Sequence, residues 1–328
     1  MDMCSTPDAL SGSAALVSGM IVLLLVVPAI GFFGWLFYPD PQKPKSKPKN
    51  LPRPDSEEKF ENASRKLVPF PSLSDPASLK LSVIVPAYNE EDRISVMLDE
   101  AIENLQGMKK SRDLSSEIVV VDDGSADTTA DVVMSYVNKY PKSDIRLLRL
   151  QQNQGKGGAV RMGMLRARGE LLLMVDADAA TRFSDVELLM RDLRKKETLA
   201  VVVGSRRKSE IETGRSFARR FFSYGFNFYT KIIGGVYGLE DTQCGFKLYT
   251  REAARAAFPI LRLRRWAFDV ESLYLAQSAG ARLSSVNVQW QEVPGSKLDV
   301  LKATKNMARD IIVMRFSYMT GRWKTTDT

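Results

Sequence analysis

The sequence predicts an α/β domain built on a mainly parallel β-sheet with helices on both faces. Short runs rich in Val, Ile and Leu recur along the chain, and helix-length amphipathic segments separate them. The runs are almost continuously apolar, which is typical of strands that are covered on both sides. Acidic residues follow three of the runs. Because open parallel sheets bind ligands at the carboxyl ends of their strands, we expect the site along that edge.

Five strands are predicted in the first two thirds of the chain. They begin at Leu81, Glu117, Asp144, Glu170 and Ala200. Residues 39–68 are rich in Pro and Lys near their start, so they are predicted to form an extended linker. The folded domain is therefore expected over residues 69–328.

The N-terminal part of the chain contains a long uncharged apolar run. Residues 14–38 can cross a hydrocarbon core of about 30 Å as one helix. Asp2 and Asp8 precede the run and five basic residues follow it closely, so the positive-inside rule places the domain in the cytosol. A cleaved signal peptide is the alternative, although no basic segment precedes the run. We expect a single-pass membrane protein with a short lumenal tail over residues 1–13.

Composition limits the possible chemistry. The formal net charge of +8 favours an anionic partner, which includes phosphorylated substrates and membrane surfaces. Histidine is absent, which excludes Ser–His–Asp triads and imidazole metal sites. The two cysteines, Cys4 and Cys244, lie on either side of the apolar run, so a disulfide framework is not expected.

Five carboxylates are expected to meet at the carboxyl edge of the sheet. The motifs that supply them are Pro86-Ala87-Tyr88-Asn89-Glu90, Asp122-Asp123-Gly124-Ser125 and Asp176-Ala177-Asp178. So many like charges in one crevice require cations or ligand hydroxyls as partners. Each motif alone also fits a turn or a helix cap. The spacing of Asp176 and Asp178 predicts Mg²⁺ or Mn²⁺ shared with a substrate diphosphate.

A glycine-rich segment follows the third predicted strand. Residues 153–158, Asn-Gln-Gly-Lys-Gly-Gly, match neither the P-loop nor the dinucleotide-binding spacing, which sets aside ATPases and dehydrogenases. The segment is predicted to open the next helix and to bring backbone near the donor. A purely structural glycine turn is the alternative.

Together, these motifs resemble the inverting GT-A glycosyltransferases that make polyprenyl-phosphate sugars. The resemblance extends from Pro69 to Lys324. Two further segments, Asp241–Lys247 and Arg265–Asp269, favour the eukaryotic branch that transfers glucose to dolichyl phosphate over the dolichyl-phosphate mannose synthases, which use GDP-mannose. A non-catalytic membrane scaffold that kept the nucleotide-binding fold is another alternative.

The resemblance implies UDP-glucose as donor, dolichyl phosphate as acceptor and Asp176 and Asp178 as metal ligands. The implied nucleotide-sugar contacts are Pro86, Ala87, Tyr88, Glu90, Asp122, Asp123, Lys156, Asp176, Ala177 and Asp178. The implied acceptor-phosphate residues are Arg206, Arg215, Arg219 and Ser223, which otherwise form a solvated basic face. Arg206 is also expected to be catalytic with the two metal ligands. Further active-site candidates are Asp241, Gln243, Trp266 and Asp269. Family members often have Gly where this chain has Ala179, whose methyl group is expected to crowd the sugar.

The acceptor explains how catalysis proceeds without histidine. A lipid monophosphate is already anionic at neutral pH and needs no base before it attacks the sugar.

Amphipathic segments near residues 216–233 and 298–324 are predicted either to lie on the membrane or to pack on the core. Nucleic-acid binding is not expected, because the basic residues cluster near the anchor and these segments. The resemblance implies an endoplasmic reticulum membrane protein that supplies N-glycan precursor assembly.

Overall fold

The computed structural model describes residues 59–61, 67–141, 143–212, 225, 228–293 and 300–326. The predicted membrane span over 14–38 and most of the linker lie outside these residues. Within them, no helix is long and apolar enough to cross a bilayer.

Seven strands form the central sheet, in the order β5-β4-β3-β6-β8-β7-β9. Their bounds are β3 Leu79–Ala87, β4 Ser116–Asp122, β5 Ile145–Arg149, β6 Gly169–Val175, β7 Ala200–Ser205, β8 Phe246–Thr250 and β9 Arg282–Asn287. β8 pairs antiparallel with β6 and β7, and the other pairs are parallel. Strands β1 (Lys59–Glu61) and β2 (Leu67–Pro69) form a separate antiparallel pair.

Helices connect most of the strands. They are α1 Ile94–Arg112, α2 Thr129–Lys139, α3 Lys156–Met164, α4 Val186–Asp192, α5 Arg207–Glu212, α6 Arg251–Ala257, α7 Phe268–Ser278 and α8 Val300–Met319, with a 3₁₀ turn over Phe183–Asp185. A helical segment also covers 228–232.

Both faces of the sheet are covered. Side chains alternate between faces along a strand, and in β4 Ile118 and Val120 belong to one hydrophobic cluster while Val119 and Val121 belong to another. All four are fully buried. The predicted α/β architecture with a mainly parallel sheet is therefore confirmed, and each of the five predicted strands is present.

Four strands were not predicted. β1 and β2 pair within the end of the segment that was predicted to be an extended linker, so that prediction is wrong for these residues. The other two are β8 and β9 of the central sheet. β8 is five residues long and has a charged residue, Lys247, at its second position, so it lacks the apolar run that marks the other strands. β9 lies at the sheet edge, and Arg282, Ser284 and Ser285 interrupt its apolar pattern. Such short or edge strands take their stability from their neighbours rather than from their own pattern.

The predicted C-terminal amphipathic segment largely forms α8. Ile311, Met314 and the following Trp323 are buried in the main hydrophobic cluster. This face of α8 therefore packs on the domain core. Of the other predicted segment, residues 225 and 228–233 are described, and Phe228 and Ile232 are 61% and 50% exposed.

Candidate active site

The loops after β3 and β4 are hydrogen-bonded to each other at the carboxyl edge of the sheet. Asn89 adopts a left-handed conformation, with φ 55°, and its backbone N–H donates to Ser125 Oγ at 2.9 Å. Pro86 and Ala87 are buried at the end of β3, whereas Tyr88 is 48% exposed. Of the three, Tyr88 therefore has the side-chain surface that can contact a nucleoside.

Glu90 is held by a cation just before α1. The Arg93 guanidinium donates two hydrogen bonds to its carboxylate, at 2.8 and 2.7 Å. Burial raises the pKa of Glu90. Arg93 opposes that shift, and the negative charges of Asp178 and Asp176 reinforce it. Glu90 thus lies within electrostatic range of the D-x-D motif, as the strand order requires.

Asp123 fixes the glycine-rich loop. Its carboxylate accepts hydrogen bonds from the backbone N–H groups of Gln154 at 2.7 Å and Gly155 at 2.9 Å. Burial raises the pKa of Asp123 to about 6, although these bonds lower it, and the charge of Asp122 adds to the rise. Two loop amides are therefore bound to Asp123 and unavailable to a phosphate, which favours the structural interpretation of this turn. Asp122 accepts the Ser125 N–H at 3.0 Å.

The D-x-D motif directly follows β6. Asp178 Oδ1 accepts the Ala180 N–H at 3.0 Å. Burial and the neighbouring charge of Asp176 raise the pKa of Asp178, while that hydrogen bond lowers it. Ala179 has φ 56°. A left-handed conformation costs a residue with a Cβ about 1–2 kcal/mol. The structure thus adds a backbone constraint to the steric effect expected of Ala179.

Lys156, the first residue of α3, contacts the D-x-D motif. Its Nζ lies 2.6 Å from Asp176 Oδ1 and 5.3 Å from the centre of the Trp266 ring, which is 38% exposed. Burial alone would lower the pKa of Lys156, but the charges of Asp176, Asp269 and Asp178 raise it. The side chain therefore stays protonated and neutralises part of the acidic edge.

A second lysine, Lys247, binds the carboxylate of Asp269. Lys247 in β8 is fully buried, and its Nζ donates to Asp269 Oδ1 and to the Cys244 carbonyl, each at 2.5 Å. Burial raises the pKa of Asp269, and Lys247 opposes the shift. Asp269 is thus a buried counter-ion for lysines. The sequence indicated Asp269 but not Lys247, whose signal is hidden because β8 was not recognised.

The segment before β8 approaches Asp176 closely. A Cβ placed on Gly245 would lie 1.9 Å from Asp176 Oδ2, so only glycine fits at this position. Nearby in the chain, Gln243 Nε2 is buried and has no hydrogen-bond partner among the described residues. Gln243 therefore has a donor available for a ligand.

Arg206 and Asp241 form a bidentate ion pair. Arg206 Nε and Nη2 donate to the two Asp241 carboxylate oxygens at 2.7 and 3.0 Å. Burial would raise the pKa of Asp241, but Arg206 outweighs it and the pKa is lowered. The pair joins the residue after β7 to a residue before β8, a structural role that the sequence did not indicate. Arg206 as a phosphate ligand stays a prediction, and Arg215, Arg219 and Ser223 lie outside the described residues.

The segment after β9 runs beside the D-x-D loop. Trp290 forms an antiparallel bridge with Thr181, and the Gln291 N–H donates to the Ala180 carbonyl at 2.9 Å. The Trp290 ring centre lies 5.9 Å from the Arg206 guanidinium carbon. Sequence reasoning missed Trp290. Recognising β9 as a parallel strand would have placed the tryptophan after it at the same edge.

The carboxylate oxygens of the D-x-D motif suit a hard divalent cation that binds together with a ligand. Within the described part of the chain, no three potential ligand side chains are grouped closely enough to cage a metal. Mg²⁺ commonly needs only one or two carboxylates, because phosphates and water complete its coordination. Asp176 Oδ1 is buried and accepts no well-directed hydrogen bond from described residues, which leaves this oxygen able to bind a cation. Asp176 and Asp178 therefore fit the predicted role.

Comparison with known proteins identifies the family. The sequence profile of glycosyl transferase family 2 matches residues 82–258, from β3 to α6. The chain belongs to glycosyl transferase family 2. This family 2 member is 50% identical to dolichyl-phosphate beta-glucosyltransferase of Dictyostelium discoideum over 266 residues, which are 78% of this chain and 81% of the relative. The enzyme of that name from Homo sapiens is 43% identical over 286 residues, 85% and 88% of the two chains.

A solved structure has the same fold. The family 2 member superposes with a TM-score of 0.52 on a mannosyltransferase of Pyrobaculum calidifontis, solved in complex with GDP-Man and Mn²⁺. The match covers 94% of this chain and 76% of that one, at 17% identity. The likeness supports the predicted GT-A fold.

Proposed function

We propose that this chain transfers glucose from UDP-glucose to dolichyl phosphate with inversion, forming dolichyl β-D-glucosyl phosphate and UDP. The observation that carries the proposal is the 50% and 43% identity, over most of the chain, to enzymes named dolichyl-phosphate beta-glucosyltransferase. The acidic edge supports it, because carboxylates accept hydrogen bonds from ribose and sugar hydroxyls and bind the cation of a nucleoside diphosphate.

Different residues at the carboxyl edge of the sheet are proposed to contact different parts of the donor. We expect Tyr88, Glu90 and Asp122 to contact the nucleoside, and Asp123 holds the loop that begins α3. Asp176 and Asp178 would hold Mg²⁺ or Mn²⁺. Such a cation supplies positive charge against the departing diphosphate.

Inversion by direct displacement needs no general base from the protein. The acceptor phosphate is anionic at neutral pH, so orientation and charge screening provide most of the catalysis. Arg206 and the basic residues that follow it are the proposed acceptor-phosphate side of the site.

The proposal includes a location. A helix over residues 14–38 would anchor the enzyme in the endoplasmic reticulum membrane, with the domain in the cytosol and its product used for N-glycan precursors. The exposed Phe228 and Ile232, four residues apart on one helical segment, support contact of this region with lipid. In sealed microsomes, added protease should remove the domain. The sequence Asn62-Ala63-Ser64 is an acceptor motif for N-glycans, and on the cytosolic side it should carry none. A protected domain would contradict this topology.

Transfer to lipid tests the reaction. Purified full-length protein in detergent should move labelled glucose from UDP-glucose to dolichyl phosphate only with Mg²⁺ or Mn²⁺, and Asp178→Asn should reduce the rate at least about 100-fold. Glu170→Gln is the matched control, because Glu170 is an exposed carboxylate at the start of β6, the strand that Asp178 follows. Label from GDP-mannose alone would assign the chain to the mannose synthases. Label from neither donor would favour the scaffold.

A further inference from the structure

Lys156 occupies the side of Asp176 on which a cation is expected. Its Nζ lies 2.6 Å from Asp176 Oδ1, so a metal ion that approaches that oxygen must compete with the ammonium charge. The oxygen is buried and receives no well-directed hydrogen bond from described residues. The ammonium therefore supplies a positive charge to Asp176.

We propose that the Lys156 ammonium takes the place of the divalent cation, a role that we call the placeholder. In the donor-free enzyme it neutralises Asp176, and when donor and cation bind together it moves away from Asp176 and contacts the donor diphosphate. The inference rests on a nucleoside-diphosphate donor, as proposed above, but not on which sugar the donor carries.

The charges around the site explain why cation and donor should bind together. The carboxylates of this group are Glu90, Asp176, Asp178 and Asp269, and the cations are Arg93, Lys156 and Lys247. Four negative charges against three positive charges leave one negative charge. A divalent cation that arrives alone meets the Lys156 ammonium, which it repels. A cation that arrives with a diphosphate brings an anionic partner for that ammonium.

The surroundings of Lys156 let the ammonium move while the backbone stays fixed. Gly155 just before it has φ 83°, and its N–H is bound to Asp123 at 2.9 Å. The lysine side chain has four flexible methylene groups. The Trp266 ring, 5.3 Å from Nζ and 38% exposed, provides a face along which a cation remains stabilised.

Binding of Mn²⁺, followed by the electron paramagnetic resonance signal of the free ion, tests the proposal without any transfer assay. Full-length wild type and Lys156→Met are titrated in detergent, each with and without UDP. Without UDP, Lys156→Met should bind Mn²⁺ at least about tenfold more tightly than wild type, in the range of typical coupling between sites. UDP should strengthen Mn²⁺ binding by a larger factor in wild type than in Lys156→Met.

Controls separate the placeholder from general charge effects. Lys80→Met removes a lysine at the amino end of the sheet, and its Mn²⁺ affinity should equal that of wild type. Adding Asp176→Asn to Lys156→Met should abolish the gain. Equal Mn²⁺ affinity of wild type and Lys156→Met without UDP, or a gain that persists with Asp176→Asn, overturns the inference. Because no sugar or lipid is present, failure of glucose transfer leaves this result unaffected.

Discussion

Ala179 holds a backbone conformation that suits glycine, with φ 56° directly after Asp178. We expect Ala179→Gly to raise the free energy of unfolding by about 0.5–1 kcal/mol, because relief of the left-handed conformation exceeds the entropy that glycine adds to the unfolded chain. Denaturant unfolding in detergent measures the change. Ala180→Gly is the control: Ala180 has no positive φ, so this change should destabilise the protein. A loss of stability in Ala179→Gly would contradict the argument.

At the scale of elements, α8 is joined to the segment before α7 and to α7 itself through one carboxylate. Glu271 in α7 accepts hydrogen bonds from the Tyr318 hydroxyl at 2.7 Å and from the backbone N–H groups of Arg262 and Leu263 at 3.0 and 2.5 Å. Tyr318→Phe should lower the free energy of unfolding by about 1.5–3 kcal/mol, the usual range for a hydrogen bond to a charged group.

The matched control for α8 is Tyr274→Phe. The Tyr274 ring packs on Tyr318 at 5.1 Å between centres, but its hydroxyl makes no hydrogen bond to any residue that the structure describes. This variant should unfold like wild type. If both variants were equally destabilised, ring packing rather than the hydrogen bond to Glu271 would dock the helix.

At the scale of the whole molecule, the amino end of the sheet contains a buried group of ion pairs, and the carboxyl end contains the candidate active site. At the amino end, Glu117 is fully buried and lies 3.0 Å from Arg168 Nε and 3.3 Å from Arg146 Nη1. Removing one partner of a buried ion pair typically costs about 3–5 kcal/mol. Glu117→Gln should therefore lower the free energy of unfolding by about that amount, while the Kd of the folded protein for UDP stays unchanged. Isothermal titration below the unfolding transition checks the second part, and weaker UDP binding would show that the ends are coupled.

Much of this arrangement was predictable because the first half of the sheet is locally encoded. β3, β4 and β6 are apolar runs that end in acidic residues, so strand order and the carboxyl-edge rule bring Glu90 and Asp178 together. The glycine-rich loop opens α3, as predicted. Its predicted second role, to bring backbone N–H groups near the donor, is not available to Gln154 and Gly155, because their N–H groups bind Asp123. A carboxylate that binds backbone has no signature in the sequence.

The second half of the site depends on contacts between distant segments. Lys247 is buried because it pairs with Asp269, and a lysine in a short segment gives no indication that it lies in a central strand. Gly245 is required by the approach of Asp176 from another strand. Such requirements arise only once the chain is folded, so local patterns could not show them.

The ion pair between Arg206 and Asp241 joins the two ends of the connection between β7 and β8. β7 leaves the sheet at the carboxyl edge, and β8, being antiparallel, enters it at that same edge. The stretch between them therefore starts and finishes at the same edge as the D-x-D carboxylates, and the ion pair fastens its two ends. Because both ends of this stretch are fixed outside the sheet, its length can change without altering the register of any strand.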